Sequence, residues 1–265
     1  ALPMNTGAEA VETAIKAARR WGHRIKGIVE GRARIIVADG NFHGRTTTIV
    51  GFSSEESYRD GFGPFAPGFD RVPFGDADAV AAAITPETAA ILIEPIQGEA
   101  GIVLPPPGYL KRLRELCDAN NVLLVLDEVQ SGLGRTGAWF AHQHEGVRPD
   151  GLIVDKALGG GVYPVSAFLS SRAVMQVFGP GSHGSTFGGN ALAAAIGLEA
   201  LNVIEDEGLV ARSAELGVYL RTRLAAMTQG LARDVRGLGL WVGVEIDAGV
   251  ASAKAIVAEL ADAGV

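Results

Sequence analysis

Hydrophobic positions in this chain follow two rhythms that take turns. From Ala8 to Trp21 they fall at Val11, Ile15, Ala18 and Trp21, the spacing of one face of a helix. Between such stretches stand short apolar runs: Arg34–Ala38 (RIIVA), Ala90–Ile93 (AILI), Val122–Leu126 (VLLVL) and Gly151–Val154 (GLIV), each with turn residues close by. Runs of that length without polar alternation predict strands covered on both faces, the condition of a parallel sheet. Tyr109–Ala119 predicts a helix between two of them, ended by Asn120-Asn121. Strand and helix in alternation give an α/β fold, a mostly parallel sheet flanked by helices. Its ligand is expected at the carboxyl ends of the strands.

After Asn190 the pattern changes. Ala191–Glu205 and Leu209–Met227 predict two long helices rich in Ala, Leu and Glu; Leu240–Ile246 predicts a strand, and another helix follows. The shift suggests a boundary near residue 208, with a large domain over 1–208 and the start of a smaller α+β domain over 209–265. Gly and Pro clusters at Gly61–Pro73 and Pro105–Gly108 predict loops.

Composition narrows the picture. The chain has 265 residues, 48% of them apolar and 20% charged, enough for a sizeable core. A formal charge of −7 leaves no basic surplus to neutralise phosphates, which argues against a nucleic-acid partner. One cysteine, Cys117, excludes an internal disulfide framework and fits a reducing compartment, the cytoplasm. No apolar run approaches a membrane span. The chain opens at Ala1 with a motif already begun by its sixth residue and ends on a helical pattern, so it is expected to be a piece of a longer protein. The histidines do not suggest a metal site; His142 and His144, two apart in a helical stretch, point different ways.

Three motifs carry candidate chemistry. Thr6-Gly7-Ala8-Glu9, just before the first helix, reads as a capping box and equally as an anion cradle of exposed N–H groups. Gly132-Leu133-Gly134-Arg135-Thr136-Gly137 matches the dinucleotide pattern G-x-G-x-x-G, but Asp127–Ser131 separate it from its strand. A flexible loop is the better reading than a nicotinamide site. Asp127 closes one strand and Lys156 follows another, so both belong to the ligand-binding edge. A lysine there could be a desolvated amine suited to Schiff-base formation, and the aspartate could hold a pyridine nitrogen protonated. An ordinary ion pair at the sheet rim is the alternative.

Taken together the motifs resemble the class III pyridoxal-phosphate aminotransferases. Leu123–Gly161 carries the resemblance most fully, with NTGAEAVE (Asn5–Glu12), NFHGRT (Asn41–Thr46), YRDGFGPFAPGF (Tyr58–Phe69), EPIQGEAG (Glu94–Gly101), GVYPVS (Gly161–Ser166) and HGSTFGGN (His183–Asn190). It spans essentially the whole chain and is strongest toward the members acting on ornithine. The resemblance implies the type I fold of pyridoxal-phosphate-dependent transferases. Lys156 would bind the cofactor covalently and move protons, Asp127 would pair with the pyridine nitrogen, and Gln130 would contact the ring hydroxyl. Phe42 would stack on the ring, while Thr6, Gly7 and Ala8 would hold the phosphate. Thr186 would reach the phosphate of a neighbouring subunit, making the active unit a homodimer. Arg45, Glu94 and Glu99 would face substrate, with Glu99 masking a carboxylate-binding arginine that lies outside this sequence. The implied reaction passes the side-chain amine of ornithine to 2-oxoglutarate, giving glutamate semialdehyde and glutamate. Acetylornithine or another ω-amino acid as donor stays open, as does a non-catalytic cofactor-binding remnant. One residue departs from the pattern: Asp155 stands before the lysine where the family has a small residue. Its carboxylate would either sit near Lys156 and keep it protonated, or point away along the strand.

Overall fold

The apolar runs become the centre of one sheet, and the sheet explains why they lack polar alternation. In the computed structural model, which describes residues 1–265, seven strands share it. They are β1 (Leu2–Met4), β2 (Arg34–Ala38), β3 (Phe69–Val72), β4 (Thr88–Ile93), β5 (Leu123–Asp127), β6 (Gly151–Val154) and β7 (Ser166–Ser170). The order is β1-β7-β6-β5-β4-β2-β3. β3, β2, β4, β5 and β6 run parallel; β7 runs against β6, and β1 runs against β7. β1 therefore points the same way as the parallel five, and its carboxyl end lies on the same edge as theirs.

Eight helices accompany the strands: α1 (Gly7–Trp21), α2 (Thr47–Gly51), α3 (Ala77–Ala83), α4 (Tyr109–Asn120), α5 (Arg172–Met175), α6 (Ala191–Asp206), α7 (Leu209–Met227) and α8 (Ala253–Asp262). On one face of the sheet, Val11, Ile15 and Trp21 of α1 pack on Ile35, Val37, Leu123 and Val125. On the other, Val80 of α3 and Leu110, Leu113 and Cys117 of α4 pack on Ile36, Ile91, Leu124 and Leu126. Successive residues of β5 thus enter different cores, so both sets must be apolar.

The structure departs from the sequence expectations at the sheet margins. The stretch Gly61–Pro73 is not all loop, since β3 lies inside it. β1 and β7 carry too few apolar residues in a row to stand out. The strand expected at Leu240–Ile246 is β9 (Trp241–Ile246), and it pairs antiparallel with a polar strand, β8 (Ala232–Leu238), as a separate two-stranded sheet.

The G-x-G-x-x-G stretch occupies turns between β5 and a short 3-10 helix, Ala141–Glu145, and does not join a strand to a long helix. Its glycines answer to packing. A Cβ on Gly137 would lie 2.8 Å from the Cβ of Ala214 in α7. One on Gly239, in the β8–β9 turn, would lie 2.5 Å from the carbonyl carbon of Thr136, and one on Gly217 only 2.0 Å from the carbonyl oxygen of Gly239. Ser213 joins the same junction: its Oγ donates to Arg135 O and accepts from Leu240 N, both at 3.1 Å. The start of the loop is fixed by Glu128, which is 1% exposed. Its carboxylate accepts from the amides of Ala141 (2.6 Å) and His142 (3.0 Å), from His142 Nδ1 (2.7 Å) and from Ser131 Oγ (3.0 Å). Such full satisfaction is what makes a buried carboxylate tolerable.

Candidate active site

Because the strands around it run one way, five chain segments deliver their side chains to one edge. β5 ends in Asp127, β4 passes into Glu94, β2 leads to Phe42 and His43, β6 to Asp155 and Lys156, and β1 to Thr6 and Gly7. Between them lies a cavity of about 160 Å³ whose lining includes Gly7, Ala8, Phe42, His43, Glu94, Asp127, Gln130, Asp155 and Lys156. The sequence-predicted Asp127, Lys156, Phe42, Gln130, Glu94, Gly7 and Ala8 all meet there.

Asp127 is 5% exposed and held from two sides. His43 Nδ1 lies 2.7 Å from Oδ2, and the Val129 amide donates to Oδ1 at 3.1 Å. His43 is itself buried, 3% exposed, at the end of a loop pinned by Asn41, whose Nδ2 donates to Ala38 O at 2.5 Å. The sequence alone does not single out His43. The stretch NFHGRT contains it, and its position past the end of a central strand is the available signal.

Lys156 has φ +45°, the left-handed region that an unbranched side chain seldom adopts. Backbone held there by its surroundings is a mark of functional constraint. The amine is exposed, so the expectation of a desolvated lysine does not hold for this chain. It opens both on the cavity and on a wider cleft of about 1020 Å³ bordered by α6, α7 and Trp241.

The start of α1 is both capping box and cradle. Thr6 Oγ1 accepts from Glu9 N at 3.3 Å, while Glu9 Oε2 accepts from Thr6 N at 2.9 Å. The cradle is engaged from within the chain: Gly7 N donates to Asp155 Oδ2 at 2.6 Å. The carboxylate of Asp155 turns toward the helix start and does not point away along the strand, yet it stays near enough to Lys156 to feel the charge of its amine. Burial raises its pKa, with Asp127 adding, against the Lys156 and Gly7 amides and the Lys156 charge.

Other predicted residues stand outside the cavity lining. Arg45 is exposed, its guanidinium 4.0 Å over the Tyr58 ring and 5.7 Å from that of Phe42. Glu99 is exposed and accepts from Gln130 Nε2 at 3.3 Å. Thr186 is exposed on the loop before α6.

The cavity holds protons tightly. Burial pushes the Glu94 carboxyl up to about 7; Asp127 adds to this, against His43 and the amides of Phe42 and Gly98 that donate to Glu94. For His43, burial acts to lower the pKa, but the hydrogen bond and charge of Asp127, with Glu94, raise it overall. Both groups bind protons better folded than unfolded. Their contribution to stability is full below the unfolded pKa values and is lost as pH rises through the folded ones. Stability is therefore expected to fall between pH 5 and 8, with Glu94 accounting for at most about 3 kcal/mol. Urea unfolding at both pH values would measure it, and Glu94→Gln should flatten the difference. An unchanged pH dependence in that variant would refute the assignment.

Comparison with known proteins places this geometry. Residues 1–265 match the family described as aminotransferase class-III. A relative in an Exiguobacterium strain, named ornithine aminotransferase, is 59% identical over 245 residues, 92% of this chain and 61% of that protein. The crystal structure of the ornithine aminotransferase from Toxoplasma gondii superposes with a TM-score of 0.96 at 44% identity, covering 98% of this chain and 63% of that one. A second structure of the Toxoplasma protein shows PLP at its active site in partial occupancy. An acetylornithine aminotransferase from Elizabethkingia anophelis superposes with a TM-score of 0.82 at 50% identity, over 93% of this chain and 61% of that one. The chain spans about three-fifths of the length of the curated relatives it matches.

Proposed function

The chain belongs to the class III aminotransferases, and from that premise we propose that the protein moves the side-chain amine of ornithine to 2-oxoglutarate with pyridoxal phosphate, yielding glutamate semialdehyde and glutamate. The observation that carries the reading is that Asp127, clamped by His43, and Lys156 share one cavity at the carboxyl edge of the parallel sheet. The residues fit the ring end of that cofactor: a fixed carboxylate, an aromatic side chain and an accessible amine line the same space.

When bound, the pyridine ring supplies an electron sink for breaking bonds at the amine-bearing carbon. The chain's residues do the rest. Asp127 would hold a proton at the ring nitrogen, and its two hydrogen bonds keep it from turning away. Lys156 would attach the cofactor and carry a proton on Nζ to and from the substrate carbon. Phe42 would cover a ring face, and Gln130 would contact the ring hydroxyl. Thr6, Gly7 and Ala8 would receive the phosphate, joined by the partner subunit's Thr186 in a homodimer. Arg45, Glu94 and Glu99 face the substrate. Residues 209–265 belong to a second, smaller domain, a reading supported by their separate two-stranded sheet. The cytoplasm is the proposed compartment. No helix is long and apolar enough to cross a membrane.

Donor choice is the finer point, since an acetylornithine aminotransferase superposes on the same chain. Steady-state rates with ornithine and with N-acetylornithine decide it. Ornithine is expected to be preferred at least about tenfold in kcat/KM, a transition-state difference of roughly 1.4 kcal/mol. A reversed preference would move the protein to the acetylated donor.

A further inference from the structure

The anion cradle at the start of α1 has four N–H groups to offer, and this chain uses three itself. Glu9 N donates to Thr6 Oγ1, Thr6 N to Glu9 Oε2 and Gly7 N to Asp155 Oδ2, which leaves only the amide of Ala8 uncommitted. The first two bonds belong to any capped helix. The third does not: it brings a carboxylate from the end of β6, two strands away from β1 on the same edge, to the place where an incoming anion would bind.

The fit is close. At 2.6 Å the contact is at the short end for a charge-assisted hydrogen bond. A Cβ on Gly7 would lie 3.1 Å from the same Oδ2 and 3.3 Å from Val129 Cγ2, so a side chain there would press on the carboxylate. Asp155 immediately precedes Lys156, so the residue that blocks the cradle and the residue that would bind an aldehyde share one short segment of backbone.

We infer that Asp155 is a specificity-determining residue that lowers the protein's selectivity for the phosphate ester of its cofactor, so that unphosphorylated pyridoxal binds nearly as well as pyridoxal phosphate. The inference rests on the function proposed above, since it concerns the phosphate end of that same cavity. A phosphate monoester must either displace the carboxylate from Gly7 or bind beside a like charge. Both penalties fall on the ester alone. Pyridoxal, with a neutral hydroxymethyl group at that position, meets neither.

Equilibrium titration tests this with the protein, Asp155→Gly and Asp155→Asn, each against pyridoxal phosphate and pyridoxal. Binding is read by the absorbance change as the aldehyde condenses with an amine and releases water. Borohydride reduction and peptide mapping then locate the bound label. The unmodified protein is expected to favour the ester by less than about tenfold. Asp155→Gly should tighten the ester by about 100-fold while changing pyridoxal less than about threefold, as removal of a like charge from contact distance requires. Asp155→Asn keeps the shape without the charge and should fall between the two, which guards against a fold defect in the glycine variant. An ester-to-pyridoxal ratio equal in all three proteins overturns the role of Asp155. A label absent from Lys156 with both aldehydes in every protein overturns the cofactor reading itself, and this inference with it.

Discussion

Replacing Lys156 with alanine is expected to leave no measurable transamination and no borohydride-fixed cofactor label. The chain has five lysines, and only Lys156 lines the cavity. Lys26 is occupied elsewhere, its Nζ donating to Thr88 O at 2.7 Å and Asn120 O at 3.0 Å; Lys16, Lys111 and Lys254 are exposed away from the site. Loss of both the covalent anchor and the proton carrier should cost at least about 10⁴-fold in rate. The left-handed backbone at this position gives an internal control. Lys156→Gly should be as inactive as the alanine variant yet more stable by about 1 kcal/mol, because glycine adopts positive φ without strain. Activity retained in either variant, or a label found on Lys26, would defeat the assignment.

Asp127→Asn is the second large effect. The amide fills the same volume and can still accept from the Val129 amide, but it cannot stabilise a proton on a pyridine nitrogen. The half-reaction with ornithine, followed in a single turnover, should slow by about 10²- to 10³-fold, the usual consequence of removing one electrostatic partner from a developing charge. His43→Ala should give a smaller loss, because the carboxylate stays while its orientation loosens. The ordering of the two variants is the discriminating result. An Asn variant as fast as the parent, or a His43 variant slower than the Asn variant, would mean that Asp127 is a structural carboxylate.

How far the sequence discloses this molecule depends on where in the sheet one looks. VLLVL and RIIVA are legible because burial on both faces removes every polar residue, and few other arrangements demand that. β8, with Arg233, Asp234 and Arg236, has a solvated face and no such signature. β1 is three residues long, and only its pairing with β7 makes it a strand. The site divides in the same way. Asp127 and Lys156 announce themselves by following buried strands, whereas their roles come from the family resemblance. His43 cannot be paired with Asp127 without knowing that β4 alone separates β2 from β5. The direction of Asp155 is illegible for a related reason. Strand alternation ends at Val154, and past that point the side chain follows the turn.

The junction of Gly137, Gly217 and Gly239 bears on how such a protein can be altered. Three backbones meet there with only the Ala214 methyl among them, so a methyl group added at any one position must push a pair of elements away from each other. At Gly217 and Gly239 no neighbouring substitution can shrink to make room, because the atoms they meet are backbone. The β8–β9 turn and the loop that leaves Asp127 are consequently coupled through this contact. A designer who grafts a different hairpin onto this scaffold would have to carry over the glycine at its turn and the glycine on the facing side of α7. Variation in the small sheet is free only at a distance from that point, along the strands and toward α8, where the chain has side chains to exchange.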